Sequence, residues 1–440
     1  MHYDLIIKNG TLVTPQESIT GDIAVKDGKI AKTGNLEVSD TANETYDAQG
    51  LHVLPGIIDA HVHFRDPGLC EKEDFETGSI AAAMGGITMV ADMPNVIPVT
   101  SDVQRFKEKL NIIKEKSYVD FALYALLNNA DFNEMKNLKD AGALGFKIFL
   151  GTSTGDITSP SPSVLWQLLT NCARLGIRTG FHCETSELNT YFTNIIKENP
   201  GSDTGIMLSN ARPVISEVLA IQTVISFARY TNAKVHIHHI TSHDGALLAQ
   251  EARKDGIDLT TETCPHYLLF DALNNTHKVY PPIRAGHRKK LFEAVNNGII
   301  DMIASDHAPH TAGEKEKNIW DAPAGLCGVE TLVPVLLNKI NKGELSLNDF
   351  VRLASEMPAK IWGIYPKKGN LLLGADADIT IVDMKMKNII RAQMLHSKSK
   401  TSPYEGMEVQ GMPVCTIIRG KFVMKDRVLT GEKGYGIFVS

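Results

Sequence analysis

The sequence predicts an α/β protein: a (β/α)8 TIM-like barrel with a small β-sandwich domain built from both termini. Between residues 55 and 365, short apolar runs alternate with helix-like segments. The two ends differ from this middle, because both consist of short strands punctuated by turn signals. We therefore expect the small domain at 1–54 and 366–440 and the barrel at 55–365. A doubly wound open sheet is the alternative, but no GxGxxG follows the first strand.

Eight apolar runs are the candidate barrel strands. They are Ile57–His63, Ile87–Asp92, Tyr118–Leu126, Gly145–Leu150, Ile177–Cys183, Lys234–His239, Asp258–Cys264 and Ile300–Asp306. The helix-like segments between them include Phe75–Met84, Val103–Lys116, Ser163–Leu175 and Glu217–Tyr230. In the terminal parts, runs such as Tyr3–Lys8 and Val414–Ile418 have strand character, and their spacing permits pairing into one sheet.

Composition narrows the class of protein. Of 440 residues, 43% are hydrophobic and 22% charged, and the net charge is −6, which argues against nucleic acid or an anionic membrane as the main partner. No uninterrupted apolar run reaches membrane-spanning length, and the first residues lack a signal-peptide pattern. The six cysteines are scattered without a CxxC pair, as in a reduced cytosolic protein. These features predict a cytoplasmic protein.

The end of the first strand carries a metal-binding pattern. His61 and His63 are two residues apart, so on a strand both imidazoles point to the same face. Two neutral imidazoles that converge on one point suit a divalent metal. Arg65 continues on that face, and a fixed cation there indicates a substrate with an acidic group. One core and one surface histidine is the alternative for this pair.

Other chemically active residues follow later strands, whose C-terminal ends meet at one mouth of a barrel. They are Lys147 in strand four, His182 in strand five, His236, His238 and His239 in strand six, and Asp306, His307 and His310 after strand eight. Strand six is ambiguous, because His236 and His238 share one face and His239 lies on the other. Periodicity alone does not choose between them.

The chain resembles the amidohydrolase superfamily and, within it, the dihydroorotases, over essentially its whole length. The resemblance rests on His61-Val-His63-Phe-Arg65-Asp-Pro-Gly68 and on Ser305-Asp306-His307-Ala308-Pro309-His310. Further landmarks are Met93-Pro94-Asn95, Glu262-Thr263-Cys264-Pro265-His266, Gly328-Val329-Glu330-Thr331 and Gly374-Ala375-Asp376-Ala377-Asp378.

This resemblance implies a centre of two divalent metal ions, usually zinc. His61, His63 and Asp306 would hold one ion, and His182 and His239 the other. Lys147, carboxylated by CO2, would bridge them, since a carbamate anion spans two cations that would repel an ammonium. The family pattern also favours His239 over His238. A surface position for Lys147 and a helix-cap role for Asp306 are the simpler alternatives.

The implied reaction is the reversible cyclisation of N-carbamoyl-L-aspartate to L-dihydroorotate and water, a step of pyrimidine biosynthesis. A hydroxide bridging the metals would attack, Asp306 would act as general acid and base, and Arg65, Asn95 and His310 would bind substrate. A homodimer is expected from the family. Other cyclic amide hydrolases (hydantoinase, dihydropyrimidinase, allantoinase) and a non-catalytic scaffold are the alternatives.

Two features stay open. Relatives often carry asparagine where this chain has Tyr280, before Pro281-Pro282. Tyrosine cannot replace the amide of asparagine, so any contact with the substrate ring at this position would be made differently. The charged stretch Thr311–Pro323 is either a mobile loop over the site or an ordinary solvated loop.

Overall fold

A computed structural model describes residues 1–151 and 157–440. Eight parallel strands lie side by side in chain order, which confirms the predicted barrel. They are β6 (Ile57–Val62), β7 (Ile87–Asp92), β8 (Asp120–Leu126), β9 (Gly145–Phe149), β10 (Thr179–His182), β11 (Val235–Ile237), β12 (Leu259–Thr263) and β13 (Met302–Ile303). Val62 also pairs in parallel with His307, beyond β13, and this contact brings the first and last strands together.

Several strands end one residue earlier than the sequence predicts, and two end earlier by two or more residues. Strand six was expected to reach His239 and strand eight to reach Asp306, but β11 ends at Ile237 and β13 at Ile303. His239 and Asp306 have φ values of 37° and 48°. These left-handed angles are incompatible with a strand, so the backbone turns and the side chains re-orient at the barrel mouth.

Helices surround the barrel. They are α1 (Phe75–Met84), α2 (Val103–Ile113), α3 (Phe132–Asp140), α4 (Pro162–Leu175), α5 (Ser186–Glu198), α6 (Thr204–Ala211), α7 (Val214–Thr231), α8 (His243–Lys254), α9 (Pro265–Leu269), α10 (Arg288–Asn296), α11 (Ala312–Lys315), α12 (Leu332–Asn341), α13 (Leu347–Val351) and α14 (Met357–Ile361). A π-helical turn, Arg352–Glu356, joins α13 to α14, and a 3-10 turn spans Ala392–Met394.

Local signals explain where several helices begin and end. Asp74 caps α1 by accepting a hydrogen bond from the backbone N–H of Thr77, at 2.9 Å. Ser161 caps α4, which has Pro162 in its first turn and ends at Gly176 with φ 66°. These caps hold the helices that pack on the outside of the barrel.

Strands from both termini form a second, mixed sheet of nine strands, as the sequence predicted. They are β1 (His2–Val13), β2 (Ser18–Lys26), β3 (Lys29–Gly34), β4 (Thr41–Asp47), β5 (His52–Pro55), β14 (Ile379–Ile389), β15 (Glu408–Ile418), β16 (Lys421–Lys425) and β17 (Val428–Leu429). The halves meet where β5 pairs antiparallel with β14, so that Val53 lies opposite Ile381. Buried aliphatic residues from both ends form its core, among them Ile23, Val25 and Ile417.

One helical stretch, Thr204–Thr231, is long and apolar enough to cross a membrane by length and hydropathy. It comprises α6 and α7, which are separated at Arg212 and Pro213. Of its most apolar window, 44% is buried inside the protein, where α7 packs against α4 and α8. Burial against neighbouring helices accounts for its apolar character.

A buried charge cluster connects the terminal sheet to the barrel. The Lys368 ammonium lies 2.7 Å from Asp120, at the start of β8, and 2.5 Å from Asp378, just before β14. Asp376 is a third partner at 3.0 Å. All of these side chains are almost completely buried, so each charge depends on its partners for stabilisation.

We predict that Lys368→Met destabilises the protein by about 3 kcal/mol or more, because it leaves the buried Asp378 carboxylate without a cation, whereas Asp120 keeps Arg419 and Asp376 keeps Lys29. Thermal and urea unfolding of the variant and the wild type would measure the effect. Lys136→Met is the control, because its partner Asp140 is an exposed neighbour on the same helix. Equal stability of the two variants would show that the cluster contributes little.

Candidate active site

The first predicted metal group comes together at the barrel mouth. His61 lies in β6, His63 follows it, and Asp306 follows β13. The Oδ1 atom of Asp306 is 3.3 Å from His61 Nε2 and 3.2 Å from His63 Nε2. All three side chains are buried. Closure of the barrel therefore creates a convergent set of two imidazoles and a carboxylate from distant parts of the chain.

The second predicted pair lies beside the first. His182 is the last residue of β10, and its Nδ1 atom is 3.0 Å from His239 Nε2. The rings of His61 and His239 are 5.5 Å apart between centroids, which places the two groups side by side. Five residues predicted to bind metal thus occupy one buried region.

Lys147 lies in β9, in the same buried region. Its Nζ atom is buried and has no hydrogen-bond partner among residues 1–151 and 157–440. Burial lowers the pKa of Lys147 to about 8, despite the opposing charges of Glu262 and Asp306. Only the unprotonated amine reacts with CO2, and a lowered pKa makes this form more abundant at pH 7. The position therefore suits the predicted carbamate.

The protonation states of these groups fit a divalent cation. Burial lowers the pKa of His61 to about 3 and that of His63 to about 4, so both are neutral at pH 7 and can donate a lone pair. Burial would raise the pKa of Asp306, but His61 and His63 lower it more, so the carboxylate is anionic. Imidazole nitrogen with carboxylate oxygen is a donor set suited to zinc and similar metals.

Glu262 is a residue of this site to which the sequence assigned no role. Its carboxylate accepts a hydrogen bond from His61 Nδ1 at 2.5 Å and lies 3.2 Å from both His236 Nε2 and His238 Nδ1. Its position near the end of β12, within a family landmark, is the signal that could have identified it. Because Glu262 holds His61 through Nδ1, the Nε2 atom of that ring is directed at Asp306.

The contacts of Glu262 distinguish the three histidines of strand six. His236 and His238 turn towards Glu262 in the barrel interior, whereas His239 faces His182. The positive φ of His239 breaks the alternation that made this strand ambiguous. His61, His238 and Glu262 are also close enough to share a cation by distance alone. However, the 2.5 Å separation of His61 Nδ1 and Glu262 is that of a hydrogen bond. The arrangement supports His239 as the ligand.

Two of the three residues predicted to bind substrate, Arg65 and Asn95, line a small cleft next to the metal group, together with Tyr280 and Ala308. The third, His310, is not part of this lining, and its Nε2 atom lies 3.4 Å from the Arg65 guanidinium. The Arg65 guanidinium is buried and donates from Nε to the Pro309 carbonyl at 3.2 Å. Its Nη1 atom has no hydrogen-bond partner in the described parts of the chain. Burial lowers the pKa of Arg65 to about 10, so the side chain is still a cation at pH 7. A buried cation with an open donor is suited to an anionic group of a ligand.

Asn95 and His310 are engaged within the protein. The Asn95 Oδ1 atom accepts from His63 Nδ1 at 2.7 Å, which orients that ring towards Asp306. His310 donates from Nε2 to the Ala324 carbonyl at 3.0 Å, and its Nδ1 atom then accepts from Lys72 at 3.4 Å. Asn95 lines the cleft, whereas His310 contacts Arg65 from outside its lining.

Tyr280 connects the cleft to His182, a predicted metal ligand, through two charged residues. The Arg212 guanidinium stacks on its ring, 3.6 Å from the centroid, and makes hydrogen bonds of 2.9 and 2.5 Å to Glu184. Glu184 in turn accepts from His182 Nε2 at 2.8 Å. The phenol ring thus forms a rigid wall where relatives often place an amide.

The stretch 311–323 is anchored along its length. Thr311 and Glu314 form a capping box at the start of α11, and Glu314 pairs with Lys72 at 2.8 Å. The Lys315 ammonium donates to the carbonyls of Lys278, Pro323 and Gly325. These contacts hold the segment beside the cleft, which Ala324 and Gly325 also line.

Comparison with known proteins agrees with the fold and the site. Residues 52–423 match the model of the Amidohydrolase family. The chain belongs to this family and is a metal-dependent hydrolase of cyclic amides, as its relatives are.

The relatives carry different names at similar identity. The chain is 36% identical to an L-hydantoinase of Paenarthrobacter aurescens over 451 residues, covering 100% of this chain and 98% of the relative. It is 35% identical to a dihydroorotase of Methanothermobacter thermautotrophicus over 450 residues, covering 98% and 97%. The solved structure of an L-hydantoinase from Arthrobacter aurescens superimposes with a TM-score of 0.96 at 34% identity, covering all of both chains. Overall similarity therefore does not identify the substrate.

We predict that His239→Asn lowers the metal content and reduces kcat by more than about 100-fold, whereas His238→Asn retains its metal and loses at most about 10- to 100-fold. The difference arises because His239 faces His182 while His238 faces Glu262. Metal analysis of both purified variants, together with initial rates, would measure this. Loss of metal from His238→Asn alone would reverse the assignment.

Proposed function

We propose that this protein is a dihydroorotase, which interconverts N-carbamoyl-L-aspartate and L-dihydroorotate. The observation that carries the proposal is Arg65. It is a buried guanidinium with an open donor, and it lines the same cleft as His63 and Asp306. Dihydroorotate carries a carboxylate on its ring, whereas hydantoin and dihydrouracil carry none. A desolvated cation has a strong preference for the charged substrate, since it gains a partner only from that ligand.

In this proposal, His61, His63 and Asp306 would hold one divalent ion, His182 and His239 would hold a second, and a carboxylated Lys147 would supply an anionic ligand. The ions would make a water molecule more acidic and polarise the ring carbonyl. Asp306 accepts the proton of the attacking water and delivers it to the ring nitrogen that leaves. Burial alone would favour its protonated form, but the neighbouring His61 and His63 lower its pKa and keep it anionic, the form that can accept a proton.

The neighbouring groups prepare these residues for their roles. Glu262 and Asn95 fix the rings of His61 and His63 through their Nδ1 atoms. Arg65 binds the substrate carboxylate through its guanidinium and so sets the position of the ring relative to Asp306. Asn95, in the cleft wall, and His310, beside the Arg65 guanidinium, would be the further contacts of that carboxylate.

A second candidate is a hydantoinase. The match to L-hydantoinase in sequence and in structure supports it, as does Tyr280, which departs from the asparagine frequent in dihydroorotases. In this case Arg65 would have a structural role or would bind another polar substituent of the substrate.

We predict that the purified, metal-replete enzyme hydrolyses dihydroorotate with a higher kcat/KM than hydantoin, dihydrouracil or allantoin. Arg65→Ala should lower kcat/KM for dihydroorotate roughly 10- to 100-fold or more, because it removes charge-assisted hydrogen bonds worth about 1.5–3 kcal/mol each. The same change should affect hydantoin much less. The proposal fails if kcat/KM for dihydroorotate is no higher than for the uncharged rings, or if Arg65→Ala lowers kcat/KM equally for all substrates.

We further predict that Lys147→Ala loses metal and activity, because the bridging anion is missing. Short-chain carboxylic acids should restore part of the activity by supplying a carboxylate in the space of the side chain. Lys139→Ala is the control, since Lys139 lies at the outer end of α3. A fully active, metal-replete Lys147→Ala protein would exclude the bridging role.

A further inference from the structure

His307, the neighbour of Asp306, occupies a structural junction. Its backbone carbonyl accepts a hydrogen bond from the N–H of His63 at 2.8 Å, and its own N–H donates to the Ser305 hydroxyl at 3.0 Å. It also pairs with Val62 in the contact that closes the barrel. The position of the His307 backbone therefore determines where Asp306 and His63 stand relative to each other.

The ring of His307 is hydrogen-bonded at one nitrogen and faces a carboxylate with the other. Its Nδ1 atom accepts hydrogen bonds from the backbone N–H groups of Gly328 and Val329, at 3.1 and 3.3 Å. A ring nitrogen that accepts carries no proton, so the neutral ring bears its hydrogen on Nε2. That atom faces the Glu73 carboxylate at 3.5 Å, and both side chains are completely buried.

Glu73 is itself fixed from two parts of the chain. Its carboxylate accepts from the hydroxyl of Thr77 in α1 and from the hydroxyl of Ser397 near the C-terminal strands. The backbone N–H of Lys398 lies 3.2 Å from both of its oxygens. Glu73 thus provides a rigid anion behind the ring of His307, on the side away from the cleft.

We infer that Glu73 is a positioning residue, which acts through His307 to hold Asp306 at the metal-binding histidines. The inference rests on the role proposed for Asp306. The backbone of Asp306 lies at φ 48°, a conformation that costs a non-glycine residue of order 1–3 kcal/mol unless its surroundings enforce it. Gly328, Val329 and Glu73 supply that enforcement through the ring of the next residue.

Loss of the contact between Glu73 and His307 should affect the turnover rate more than the fold. Asp306 Oδ1 is within 3.3 Å of two imidazoles, and a small shift of this carboxylate would misalign proton transfer. Substrate binding at Arg65 does not involve Glu73. Weakening the contact of Glu73 with His307 should therefore lower kcat and metal retention while leaving KM nearly unchanged.

The test is Glu73→Gln, which keeps the shape but removes the charge facing His307. We expect kcat to fall about 10- to 100-fold, KM to change less than about twofold, and metal to be lost faster to a chelator. The matched control is Asp301→Asn. Asp301 precedes β13, the strand that Asp306 follows, and so lies at the opposite end of the barrel. It pairs with Arg253 at 2.5 Å. The control should match the wild type in kcat and in metal retention, whatever its melting temperature.

Two further variants make the result decisive. Ser397→Ala removes one donor to Glu73 and should shift kcat and metal loss in the same direction by a smaller factor. If Glu73→Gln does not fold, this variant alone decides, and unchanged kcat and metal retention overturn the inference. Asp306→Asn separates the two proposals. If it is inactive while a folded Glu73→Gln is unaffected, the inference fails and the proposed function stands, whereas an active Asp306→Asn contradicts the proposed function.

Discussion

The backbone hydrogen bond from His63 to His307, together with the pairing of Val62 with His307, joins the first strand of the barrel to the segment after the last. Seven strand pairs in chain order produce a curved sheet, and this contact turns it into a ring. Side chains at the strand ends then face a common centre. His61 and Asp306 become neighbours for this reason, and the buried site depends on it.

Burying many ionisable groups in one place is unfavourable unless each has a partner. Most of them do: Glu262 serves three imidazoles, Asp306 contacts two, and Glu184 lies between His182 and Arg212. Lys147 and Arg65 are the cations of this region with a buried nitrogen that no described group satisfies, and the His238 and His239 rings also have one such nitrogen each. The proposed function assigns a carbamate to Lys147 and an anionic substrate group to Arg65.

Family membership follows from similarity over the whole chain, whereas the choice of substrate depends on individual side chains. Proteins named hydantoinase, dihydroorotase and allantoinase match nearly the whole chain at nearly equal identity. The proposed function therefore locates specificity in a few side chains around the cleft, chiefly Arg65 and Tyr280. Arg212 stacks on Tyr280 and pairs with Glu184, which holds the ring of His182. A substitution of Tyr280 would therefore also affect the residues that orient His182.

The sequence by itself determined the features that follow from local periodicity. Apolar runs predicted eight strands, and the two-residue repeat predicted that His61 and His63 converge. The repeat does not extend to Arg65 as predicted, because β6 ends at Val62 and Arg65 has φ 64°. Tertiary structure decided the rest. The left-handed backbone at His239 re-oriented that ring towards His182, and Glu262 collected His61, His236 and His238 from other strands. Asn95, predicted as a substrate contact, also orients His63. Such choices depend on contacts between residues far apart in the chain and on single backbone angles, which strand alternation does not encode.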